Sequence, residues 1–205
     1  MPPRRRSPER VVFFSDAVVA IAITLLVLPL ADAVPEAAQQ HLSAAELISH
    51  NANSIYSFLL SFAVIARFWG LHHRLFEEVK AYSRPLLFAN FGWLLAIVTL
   101  PFPTEIAGQY GNGQFESALY IGTIFVSSLF QLVMVVIIRR DRALREDDSE
   151  LATRPMFEYA ITTGMLAIAL VVAALVPHTG YYMLLLLLAP PILDRIRRSR
   201  APESV

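Results

Sequence analysis

Apolar residues in this chain come in long runs, not in short alternating or amphipathic stretches, and polar clusters separate the runs. The first runs from Arg10 to Leu30 (RVVFFSDAVVAIAITLLVLPL), uncharged from Ala17 to Leu28 and carrying one hydroxyl there, Thr24. A helix of about 20 residues crosses ~30 Å of hydrocarbon, so the pattern predicts a first membrane span over about 11–30. A second helix, about 47–74, starts polar (His50, Asn51, Asn53, Ser54), turns apolar through IYSFLLSFAVIA and ends in RFWGLHHRLFEEV. A third, about 85–104, begins at Pro85, a residue tolerated in a first turn, and PFPT (Pro101 to Thr104) reads as its stop. The fourth occupies about 115–138 and the fifth about 156–176. The sixth, about 181–193, is short, rises only ~20 Å, and is closed by Pro190 and Pro191.

The expected architecture is therefore all-α and polytopic, with six transmembrane helices per chain. A tail at 1–9 precedes them, and a basic tail follows at 195–205. With 56 % hydrophobic and 17 % charged residues, composition agrees with the membrane class. The first run is too long for a signal peptide and is read as a retained helix. Cysteine is absent, which excludes disulfides and thiolate metal sites.

Charge changes the picture more than composition does. The net charge is zero, yet all 17 Lys and Arg residues fall at the N-terminus, late in span two or between spans two and three, between spans four and five, or in the C-terminal tail. By the positive-inside rule these places share the cytoplasmic side, so both termini are expected in the cytoplasm of a multi-pass protein. Asp32, Glu36, Glu46, Glu105 and Glu116 fall on the opposite side with no cation among them. That rim either attracts cations or follows merely from the exclusion of basic residues.

Candidate chemistry is sparse. No phosphate loop, HExxH or nucleophile elbow is present, the arginines form no nucleic-acid motif, and neither an enzyme, a cofactor nor a fixed metal site is expected. Ile21, Leu25 and Leu28 share one face of helix one, with Thr24 and Asp16 near it. From periodicity alone the simpler reading is a surface facing lipid or another helix; the sharper one is a constriction that gates by dewetting. Asp16 lies within the span, where an ionisable group is costly and needs a partner. Helix two offers partners at that depth: Arg67, Trp69, His72 and His73, the second and fourth of these being i,i+4 neighbours.

The RxxxFSD pattern (Arg10, Phe14, Ser15, Asp16), the SFAVIARFWGLHH run and PFPT together resemble the bacterial branch of the TMEM175 family of potassium channels. The resemblance implies a homotetramer in the bacterial plasma membrane, with helix one of each subunit lining a cation pore that lacks a carbonyl filter. It implies hydrophobic pore layers at Ile21, Leu25 and Leu28, and a role for Thr24 in preferring potassium over sodium. It implies a structural network of Arg10, Ser15, Asp16, Trp69 and His73, with His72 a further member. Potassium is then the permeating ion, and the partners are further copies of the chain and the lipid bilayer. A proton-coupled or proton-conducting transporter using Asp16, His72 and His73, and a scaffold without transport, are the alternatives.

Overall fold

A computed structural model describes residues 8–111, 113–144 and 156–176, the side chains of 157 and 158 excepted. Among these the chain is helical, in the order α1 (Glu9–Leu25), α2 (Leu28–Gln39), α3 (Ala44–His50), α4 (Ala52–Glu77), α5 (Arg84–Thr99), α6 (Pro101–Tyr110), α7 (Gln114–Arg140), a 3₁₀ turn at Arg142–Leu144, and α8 (Met156–Leu175). Four continuous stretches are long and apolar enough to cross a membrane: Glu9–Gln39, Ala52–Glu77, Arg84–Tyr110 and Gln114–Arg140. α8 adds a further apolar helix. The expected sixth span at 181–193 and the tail at 195–205 lie outside the described residues, as do residues 1–7.

Two expected boundaries need correction, and proline explains both. The first span does not end near Leu30. Pro29 lacks the N–H that would reach Leu25 O, so the turn tightens: Leu26 N–H donates to Ile23 O at 3.3 Å and Val27 N–H to Thr24 O at 3.4 Å. The helix then resumes as α2 and runs to Gln39. Leu28 therefore sits beyond a break that separates it from Ile21 and Leu25. PFPT, similarly, does not stop the third span. Pro101 and Pro103 withhold two backbone donors, yet Leu100 keeps helical angles (φ −54°, ψ −37°) and α6 continues to Tyr110. Both prolines fall in the first turn of α6, where a missing N–H costs little.

α7 runs through the middle of the bundle, with α5, α6 and α8 packed along it, while α1 leans on α5 and α4. The fully buried side chains include Ile65 of α4, Trp93 and Ile97 of α5, and Ile121, Ile124, Met134 and Ile138 of α7. Between apolar helices in lipid, the drive to associate comes from close packing and interhelical hydrogen bonds, because the tails are as apolar as the side chains. Both devices are present. At Gly108 of α6 an added Cβ would lie 2.9 Å from Ser54 Cα, so the backbones of α4 and α6 touch there. Beside that contact a hydroxyl chain joins three helices. Thr104 donates to Leu100 O at 2.7 Å, which leaves it to accept from Ser61 at 2.7 Å and leaves Ser61 to accept from Tyr120 at 2.7 Å.

Polarity is segregated between the two ends of the bundle. Arg10, Arg74, Lys80, Arg84, Arg139, Arg140 and Arg142 lie at the start of α1, the end of α4, the start of α5 and the end of α7. The Lys80 N–H donates to Leu144 O at 2.9 Å, tying the α4–α5 connection to the turn after α7. The acidic residues Asp32, Glu36, Glu46, Glu105 and Glu116 belong to α2, α3, α6 and the first turn of α7, at the other end.

Candidate pore helix and its anchoring network

The first span has two unlike faces. Ser15, Val19, Ala22 and Leu26 are buried against the rest of the chain. Ile21, Leu25 and Leu28 are exposed at 59 %, 39 % and 49 %, with Thr24 exposed among them. The Thr24 hydroxyl donates to Ile21 O at 2.8 Å, so its proton is used within the helix and its oxygen faces outward as an acceptor. Exposure of apolar side chains is not confined to this helix; Leu59, Phe88, Leu95 and Ile168 are as open. What sets the first span apart is how little the chain covers it: 22 % of its most apolar window is buried, against 39 % to 44 % in the other three spans.

The buried face is held by two hydrogen-bonded sets. In the first, Ser15 Oγ donates to Val11 O at 2.8 Å, and Asn90 Nδ2 of α5 donates to Ser15 Oγ at 2.9 Å. Asn90 Oδ1 is then left to accept from His72 Nε2–H of α4 at 2.7 Å. A neutral imidazole carries one N–H, so this bond fixes the tautomer and leaves Nδ1 as a buried lone pair with no partner among the described residues. The His72 ring is stacked on Trp93, with centroids 4.1 Å apart and planes 8° apart, and on Phe76 at 4.5 Å. In the second set, Trp69 Nε1–H of α4 donates to Asp16 Oδ1 at 2.9 Å. Trp69 in turn stacks on His73 at 5.4 Å, and His73 Nε2 lies 3.4 Å from Glu77.

The residues singled out in the sequence are thus brought together unevenly. Asp16 does find its partner on the second span, but the partner is Trp69 and not a histidine. His72 reaches Ser15 only through Asn90, and His73 turns away toward Glu77. Phe14 is exposed and meets Phe91 edge-on at 6.0 Å. Arg10 is exposed, and its side chain makes no hydrogen bond or ion pair among the described residues, so it stands outside the network. Asn90, the joint of the first set, was not anticipated. Its signal was available: a lone amide within the apolar run Leu86–Leu100 is as informative as a lone carboxylate in helix one.

The family profile described as endosomal/lysosomal potassium channel TMEM175 matches residues 10–101, which hold α1 to α5 and both sets. At family level, the match is to TMEM175. A potassium channel of Streptomyces collinus is 33 % identical over 139 residues, 66 % of this chain and 61 % of that one. A potassium channel of Chamaesiphon minutus is 38 % identical over 112 residues, 53 % of each chain. The chain therefore spans about three-fifths or less of the length of these relatives. The fold extends further than the sequence match. The crystal structure of a lysosomal potassium-selective channel TMEM175 homolog from Chamaesiphon minutus superposes with a TM-score of 0.71 at 23 % identity, over 94 % of this chain and 98 % of that one.

Proposed function

We propose that this chain is a passive cation channel, preferring potassium to sodium, assembled as a homotetramer around the α1 helices. Ile21, with Leu25 and Leu28, forms the narrow apolar neck. The observation that carries this reading is the under-covered first span. It is fixed to its own chain through Ser15, Asp16, Val19 and Ala22, and it presents Ile21, Thr24, Leu25 and Leu28 outward. The potassium channels similar to it in sequence support the choice of ion.

In the closed state an apolar ring of this kind excludes water, and conduction requires α1 to rotate or splay until the neck wets. A ring of aliphatic side chains coordinates no ion. Selectivity in this reading comes from pore width and the cost of dehydration, with the outward Thr24 oxygen a polar group beside the neck, and it is modest. By the positive-inside rule this reading takes the basic end of the bundle as cytoplasmic, with both termini on that side of a bacterial plasma membrane.

The deciding experiment is ion flux from purified protein in liposomes under potassium, sodium and proton-only gradients. Potassium flux exceeding sodium flux, without saturation, is expected. Flux driven only by a proton gradient would point instead to a coupled transporter, and no flux from folded protein to a scaffold. Ile21→Asn is expected to raise conductance and weaken the closed state by easing wetting; equal currents in variant and parent would remove Ile21 from the gate.

A further inference from the structure

Residues 68–72 of α4 are a junction at which the other spans meet. The Phe68 carbonyl accepts from Gln131 Nε2 of α7 at 2.7 Å. Trp69 Nε1 donates to Asp16 of α1 at 2.9 Å. The Leu71 carbonyl accepts from the Tyr159 hydroxyl of α8 at 3.1 Å, and His72 Nε2 donates to Asn90 of α5 at 2.7 Å. Within five residues α4 is bonded to α1, α5, α7 and α8. Gln131 and Tyr159 are themselves buried, 1 % and 8 % exposed.

The bonds from Gln131 and Tyr159 are not needed to satisfy α4. Phe68 and Leu71 lie inside a continuous helix, so their carbonyls already accept from the backbone four residues on. Each donor is instead a polar side chain placed at a cost among apolar neighbours, where methionine or phenylalanine would fill the same space. What the polar versions add is a fixed rotation and height for α4 at this level. The next residue after Phe68 is Trp69, which holds Asp16, and the next after Leu71 is His72, which holds Ser15 through Asn90. We propose that Gln131 and Tyr159 are positioning residues for α1. By fixing α4 they fix the direction in which Ile21 and Thr24 point. Both lie outside the segment that matches the family profile. The consequence for conduction rests on the channel reading above; the positioning itself does not.

The test uses Tyr159→Phe, Gln131→Met and the pair, in the full chain, with 5-fluorotryptophan at the two tryptophans. Trp69→Phe assigns the ¹⁹F resonances. The expected result is that the Trp69 resonance shifts or broadens in the pair, showing a loosened bond to Asp16, and that resting potassium leak in liposomes changes roughly two- to thirtyfold. An unmoved Trp69 resonance with unchanged leak, even at a lower melting temperature, would reduce both residues to stabilisers and overturn the proposal. So would loss of assembly in Tyr159→Phe, which removes only one oxygen. A moved resonance in a protein that carries no cation flux at all would uphold the positioning and refute the channel.

Discussion

Asn90 uses both ends of its amide, and the two bonds run in opposite directions along the network: Nδ2 toward α1, Oδ1 toward α4. Asn90→Leu keeps the volume but leaves the His72 Nε2–H without an acceptor in a site that water does not reach. An unsatisfied buried donor costs about 1–3 kcal/mol, so the variant should melt several degrees lower in detergent, as a thermal scan would show. Trp69→Phe tests the other set. It leaves Asp16 without its donor, and since hydrogen bonds between membrane helices average about 0.6 kcal/mol, with a maximum near ~1.7 kcal/mol, the loss should fall nearer that upper figure because the acceptor is a carboxylate. At this scale the sequence was partly legible. Asp16 and Trp69 stood out as polar or interfacial groups in apolar runs, and they do meet. The direction of His73 was not legible, because i,i+4 neighbours on α4 offer it Trp69 and Glu77 equally well, and only the packing of α1 shows that Trp69 takes Asp16.

Whole elements were easier to place than their ends. α7 follows directly from an uninterrupted apolar run, whereas prolines misled twice. Pro29 breaks α1 from α2 without ending the span, and PFPT falls in a first turn that proline tolerates. Tight helix contacts leave no trace in hydropathy, and Gly108 is the example. Gly108→Ala forces its new methyl against the Ser54 backbone, which cannot rotate aside, so a destabilisation of about 1–3 kcal/mol is expected, read from the melting temperature. The short α3 carries a capping box: Ser43 Oγ accepts from the Glu46 N–H, while the Glu46 carboxylate accepts from the Ser43 N–H at 2.8 Å and from the Ser43 hydroxyl at 2.7 Å. Those Ser43 bonds hold the Glu46 carboxyl below its ordinary pKa. Because the folded value is the depressed one, the cap is at full strength above the ordinary carboxyl range and is lost as pH falls through the folded value. Amide exchange over 44–50, corrected for intrinsic rates, should therefore accelerate on acidification in the parent, and Glu46→Gln should abolish that pH dependence.

At the scale of the whole molecule, the order of synthesis and the order of packing oppose each other. Of the four described spans, the first in chain order is the one its own chain covers least. Its anchors arrive late: Trp69 lies 53 residues after Asp16, and Asn90 lies 75 residues after Ser15. During insertion, then, α1 precedes both of its anchoring partners, and these two bonds form only when the second and third spans emerge beside it. Capture of α1 thus needs α4 and α5 in place, whereas the packing of α5 and α8 along α7 needs nothing from α1.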